Sequence, residues 1–105
     1  MTLSAIVLTR NEERNIAECL SSVSFAEEVL VVDSGSTDGT VVLAQEHGAR
    51  VITRAFTDFA SQRNFAMSEA KGDWVLFIDA DERVRPELAE EIKAVLSVGL
   101  SLIHI

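Results

Sequence analysis

Four short apolar runs, each leading into a polar cluster and then a helix-spaced stretch, limit this chain to very few folds. They are SAIVL (Ser4–Leu8), EVLVVD (Glu28–Asp33), ARVITR (Ala49–Arg54) and DWVLFIDAD (Asp73–Asp81). Short runs that stay apolar on successive residues are what strands buried on both faces require. Between them the period changes. Ile16, Leu20 and Val23 fall at i, i+4 and i+7 and predict a helix with Asn11 as its N-cap. SGSTDGTVVLAQEHG predicts a loop, then a helix from about Asp38, capped by Ser36, Thr37 or Asp38 and stopped at Gly48. TDFASQRNFAMSEAKG predicts a helix from near Thr57 to Gly72, with Phe59, Ala66 and Ala70 turned inward. Pro86 suits the first turn of a last helix whose apolar stripe is Leu88, Ile92 and Val95.

This alternation implies an α/β fold, a parallel sheet with helices on both faces. Ligands of such sheets bind beyond the carboxyl ends of the strands. The polar clusters Thr9–Glu12, Asp33–Asp38 and Asp79–Arg83 all fall at such ends.

At 105 residues the chain is one domain at most, or part of one, and 48% hydrophobic residues exclude disorder over most of it. A formal net charge of -8 argues against nucleic acid as the main partner. It leaves room for a small anionic ligand bridged to carboxylates by a metal ion. Cys19 is the sole cysteine, which excludes an intramolecular disulfide and a thiol metal cluster and points to a reducing compartment. Glu12 and Glu13 come too early for a signal peptide. No apolar run approaches the ~20 residues of an integral membrane segment.

The far end reads differently. LSLIHI is what one reading frame of a common sequencing-adapter end encodes, so Leu100–Ile105 is read as a translated artefact. The expected division is therefore a truncated native region over 1–98 and a non-native tail over 99–105. A genuine short strand is the alternative, and the nucleotide sequence of the last codons decides between them.

Asp79 and Asp81 are two apart, so if strand geometry persists both carboxylates project on one face. Carboxylates that close repel unless a cation separates them, and oxygen ligands suit Mg²⁺ or Mn²⁺. The plainer reading is two solvated aspartates at a strand end. Asp33 can accept from a base N–H or a ribose hydroxyl, and Gly35 permits close backbone approach. No Gly-Lys-Ser/Thr follows, so this is not a phosphate-cradling P-loop. Arg10, Asn11 and Glu12 stand beside the first strand's end, and Arg63 lies on the helix before the fourth strand, where a guanidinium can pair with a diphosphate. Capping and ordinary solvated charge would account for these residues too. His47 and His104 stand alone and receive no role, and Cys19 reads as a small core-edge residue.

Taken together, AIVLTRNEERNIAECLSSV, EVLVVDSGSTDGT and QRNFAMSEAKGDWVLFIDADE resemble the inverting family 2 glycosyltransferases of GT-A fold. The likeness is strongest to lipopolysaccharide core-oligosaccharide glucosyltransferases, and it runs from residue 3 to about 96. It implies the Rossmann-like, N-terminal nucleotide-binding half of a GT-A sheet. It also implies transfer of glucose from UDP-glucose to a lipid-linked glycan, in the cytoplasm at the inner face of the membrane. Thr9, Arg10 and Glu12 would lie against the nucleoside, and Asp33 with Ser34 would hold the uracil or ribose. Arg63 would approach the diphosphate or base. Asp79 and Asp81 would form the D-x-D that holds ribose and a divalent cation, Mg²⁺ or Mn²⁺.

One departure stands out: many members carry adjacent aspartates after the second strand, where this chain has Asp33 and then Ser34. The general base that an inverting transfer needs lies beyond the D-x-D in the family, and Glu87, Glu90 and Glu91 read as a solvated helix face. The fragment is thus expected to be inactive alone, and catalytic residues stay unassigned. Two alternatives compete. A non-catalytic nucleotide-binding fragment would leave an exposed edge and an unmatched apolar face. A haloacid-dehalogenase-like phosphatase would use FIDADER, but Arg83 stands where its threonine belongs and three strands precede the motif.

Overall fold

The computed structural model describes residues 1–98. The suspected tail over 99–105, with His104, lies outside the described residues. In chain order the elements are β1 (Leu3–Thr9), α1 (Ile16–Ser22), β2 (Glu28–Asp33), α2 (Thr40–Glu46), β3 (Arg50–Thr53), α3 (Phe59–Glu69), β4 (Trp74–Asp79) and α4 (Pro86–Val98). The four strands are parallel, in the order β3-β2-β1-β4. Strand order therefore steps from β1 out to β3 and jumps back across β1 to β4. Such a reversal opens a crevice beyond the carboxyl ends. Leu8 pairs with Asp79 and Thr9 with Asp33, so the ends of β1, β2 and β4 lie side by side.

Every residue of β1 is buried except half-buried Leu8, as a central strand covered on both faces demands. Alternate side chains divide the core in two. Leu3, Ala5, Val7, Val31, Leu76 and Ile78 meet α1, α2 and α4 through Ile16, Cys19, Leu20, Ala44, Ile92 and Leu96. On the other face Ile6, Leu30 and Val32 meet Ala66 of α3, with Leu8, Ile52, Phe65 and Phe77 at the margin. A one-residue register slip would exchange these two sets, which fixes the pairing.

Four local expectations need correction. β4 ends at Asp79 rather than Asp81, because the Glu82 N–H donates to the Asp79 carbonyl at 2.9 Å and closes a turn. Asn11 does not cap α1; the helix starts at Ile16, and Asn11 sits at φ 53°, a left-handed conformation that asparagine tolerates. Phe59 is 72% exposed rather than inward, since the first turn of α3 follows β3 and stands at the sheet's carboxyl end. On α4, Ile92 is buried as expected, but Ala89 and Leu96 lie deeper than Leu88 and Val95.

Gly72 shows how closely β4 enters against β1. A Cβ there would lie 2.7 Å from both the Ser4 N and Oγ and 3.0 Å from the Leu3 carbonyl carbon. Backbone cannot yield, so Gly72→Ala is expected to cost about 2 kcal/mol or more in urea unfolding. Gly39→Ala should cost about half that, because its Cβ meets only Glu13 Oε2 at 2.9 Å, the end of a flexible side chain.

Candidate functional site

Two loops at the carboxyl end of the sheet are stitched together through Asp33. This carboxylate is 1% exposed. Its Oδ1 accepts from the hydroxyls of Thr9 at 2.7 Å and Ser36 at 2.5 Å. Its Oδ2 accepts from the backbone N–H groups of Gly35 at 3.0 Å and Ser36 at 2.7 Å. Gly35 makes the tight return possible at φ +99°, a conformation costly for any residue with a Cβ. Burial pushes the Asp33 carboxyl upward, but the donors of Ser36, Thr9 and Gly35 outweigh it and hold it below its ordinary 3.8.

Asn11 carries the second stitch. Its N–H donates to Ser36 Oγ at 2.8 Å, and its Oδ1 accepts the Thr37 N–H at 2.8 Å. A third joins the start of α2 to the same loop. Asp38 Oδ1 accepts the Thr40 N–H at 3.0 Å and also the Thr40 hydroxyl, while Glu13 Oε2 accepts the Gly39 N–H at 2.8 Å. The Thr40 hydroxyl in turn accepts the Glu12 N–H at 2.9 Å. These bonds fill donors that a helix start leaves open.

Above this interlock lies a cleft of about 300 Å³, lined by Leu8, Thr9, Arg10, Glu12, Val32, Ser34, Phe56, Phe59 and Gln62. Four sequence-selected residues therefore line it: Thr9, Arg10, Glu12 and Ser34. The Ser34 hydroxyl donates to the Thr9 carbonyl at 3.2 Å, and Glu12 Oε2 accepts from Asn15 Nδ2 at 3.2 Å. Arg10 is exposed and makes no hydrogen bond or ion pair among the described residues. Asp33 is not a wall of the cleft. All its acceptor positions are filled, so a base or ribose contact there would have to replace an internal bond.

Asp79 and Asp81 lie beside the cleft, at the end of the strand paired with Leu8, and both are exposed around buried Ala80. Neither carboxylate has a partner among the described residues. Arg83 braces their turn: Nη1 donates to the carbonyls of Ala80 at 2.9 Å and Glu82 at 2.7 Å, and Nε reaches Glu18 at 3.4 Å. The buried Cys19 thiol donates to the Asp79 carbonyl at 3.6 Å; burial first, then nearby carboxylates, push it up to about 11 against the opposing pull of Arg83. Arg63 lies outside the cleft wall, its guanidinium 4.5 Å over the Phe77 ring, two residues before Asp79.

The donor set fits a hard divalent cation. Such ions take one or two carboxylates and complete their shell with water and phosphate oxygens. Among the described residues no group of three or more His, Cys, Asp or Glu converges to hold an ion, so water and phosphate oxygens would have to complete any shell begun by the two aspartates.

Comparison with known proteins decides the family, since the model described as Glycosyl transferase family 2 matches residues 4–99. The chain belongs to glycosyl transferase family 2. A glycosyltransferase of Rickettsia bellii is 42% identical over 96 residues, covering 90% of this chain and 33% of that protein. The lipopolysaccharide core biosynthesis glycosyltransferase LpsC of Rhizobium meliloti is 34% identical over 104 residues, covering 94% of this chain and 38% of that protein. Glucosyl-3-phosphoglycerate synthase from Mycobacterium tuberculosis, solved with Mn²⁺, uridine diphosphate and glucosyl-3-phosphoglycerate, superposes with a TM-score of 0.76. It is 28% identical, and the match covers 90% of this chain and 39% of that one. The α/β sheet is thus a GT-A sheet, as the sequence implied. The family 2 chain spans about a third of the length of the curated relatives it matches. Family membership removes the phosphatase reading of FIDADER. No helix among the described residues is long and apolar enough to cross a membrane.

Sequence reasoning missed Phe56, Phe59 and Gln62 as cleft residues, and Arg83 as the brace of the acidic turn. The signal for the aromatic pair was Asp58 between them, a cap that puts Phe59 at the first position of α3 and Phe56 in the loop just before it.

Proposed function

We propose that this chain is the donor-binding part of an inverting, metal-assisted glycosyltransferase. It moves glucose from UDP-glucose to a hydroxyl of a lipid-linked core-oligosaccharide acceptor at the cytoplasmic face of the membrane. One observation carries the reading. A cleft walled by Thr9, Arg10, Glu12 and Ser34 adjoins two aspartates that have no partner among the described residues, at the point where the sheet reverses. The uridine diphosphate and Mn²⁺ held by the mycobacterial synthase support the same assignment.

Thr9 and Ser34 form the side of the nucleoside site, and Glu12 offers a carboxylate to ribose hydroxyls. Arg10 is free to take a diphosphate oxygen, with Arg63 able to join it after leaving the Phe77 ring. Asp33 holds both loops in place from beneath and touches the nucleoside only where the Ser36 hydroxyl yields. Asp79 and Asp81 would hold Mg²⁺ or Mn²⁺, which when bound neutralises charge on a departing nucleoside diphosphate. The acceptor hydroxyl needs a general base. Glu87, Glu90 and Glu91 are exposed on α4, and Glu90 pairs with Lys93 at 2.9 Å, so none is assigned that role. The 105 residues are expected to bind donor without transferring sugar.

Calorimetric titration of the chain with UDP tests this. Binding should be at least about tenfold tighter with Mn²⁺ than with a chelator. A chain that takes up no UDP under either condition refutes the donor assignment.

A further inference from the structure

We propose that Phe56 and Phe59 form the wall on which the donor's pyrimidine ring stacks; this rests on the donor-binding reading above. Both rings line the cleft, yet they remain 43% and 72% exposed. Neither belongs to the two cores, so folding alone gives no reason for large aromatics at this place.

Phe59 opens α3 and Phe56 lies in the loop before it, and the two rings are in contact. The ring centroids are 5.0 Å apart at 73°, an edge-to-face contact. Between them Asp58 caps α3, accepting from the Ser61 N–H at 2.7 Å and its hydroxyl at 3.2 Å. Buried Gln62 clasps Arg54 reciprocally: its Oε1 accepts from Arg54 Nη1 at 2.7 Å, and its Nε2 donates to the Arg54 carbonyl at 3.2 Å. The Arg54 N–H donates to the Asp33 carbonyl at 2.8 Å. The aromatic wall is therefore tied to the same strand end that carries the Asp33 interlock, which lowers the ordering cost of binding.

The occupant follows from the chemistry of the walls. The same cleft is lined by the two aromatic rings and by the polar residues Thr9, Ser34, Glu12 and Arg10. A flat ring with polar edges satisfies both. About 300 Å³ is the small end of ligand pockets and suits one pyrimidine with its ribose.

The test is UDP affinity, in Mn²⁺, of the chain and of Phe56→Ala, Phe59→Ala and Phe59→Trp. Each alanine variant should bind about tenfold more weakly, and Phe59→Trp within about twofold of the parent. Phe59→Trp should also gain an emission that UDP quenches. The parent lacks this signal, because its one tryptophan, Trp74, opens β4 at the opposite end of the sheet. Unchanged UDP binding in both alanine variants, or an added indole emission in Phe59→Trp that is indifferent to saturating UDP, overturns the stacking wall while leaving the donor site standing. Failure of the parent to bind UDP overturns both.

Discussion

Asp33→Ala is expected to lose about 3 kcal/mol of stability and, with it, measurable UDP binding. The substitution strips the acceptor from the Thr9 and Ser36 hydroxyls and from two backbone N–H groups, all at a carboxylate 1% exposed. The buried Thr9 hydroxyl left without a partner carries its full desolvation cost, and the part-buried Ser36 and Gly35 donors lose the bonds that fix the loop. Asp33→Asn should recover at most about half the loss, since its NH₂ must face one pair of those donors. Urea midpoints across pH give an independent reading. The folded carboxyl titrates below its ordinary 3.8, so its contribution is complete above that value and is lost as pH falls toward the folded one. The acid limb of the stability curve should therefore be shallower in Asp33→Asn than in the parent. Equal limbs would mean that the Asp33 bonds contribute nothing to holding the loops.

Asp79→Asn and Asp81→Asn should do the opposite, leaving stability within about 0.5 kcal/mol while weakening Mn²⁺-dependent UDP binding roughly 100-fold. Both side chains are exposed and lack partners among the described residues, so folding does not depend on them. Nor does their removal loosen the turn, which is closed by the Glu82 N–H and braced by Arg83, neither of which uses their carboxylates. UDP binding that still responds fully to Mn²⁺ after both substitutions would remove the cation from this site.

The strands were legible because a sheet covered on both faces writes unbroken apolar runs into the chain, and EVLVVD matches β2 residue for residue. What escaped notice depends on partners distant in sequence. Asn11 has the side chain and position of a cap, yet its Oδ1 is taken by Thr37, 26 residues away. Phe59 sits at a helix spacing that promises core, but the sheet has already ended beneath it. DWVLFIDAD keeps a strand-like alternation through Asp81, and only the bond from Glu82 back to Asp79 shows where the strand stops. Asp33 was visible as a carboxylate at a strand end. That its lone pairs are already spent was not, because Thr9 lies 24 residues before it.

The sole sulfhydryl lies shut beneath the Asp79 carbonyl, with a pKa of about 11. Alkylating reagents attack the thiolate, so they meet almost none of it while α1 stays seated. Cys19 is buried, so labelling requires that helix to move away from β4, and the labelling rate follows how often it does. The molecule thus carries its own clock for how often the acidic turn comes loose, and a bound nucleotide should slow it.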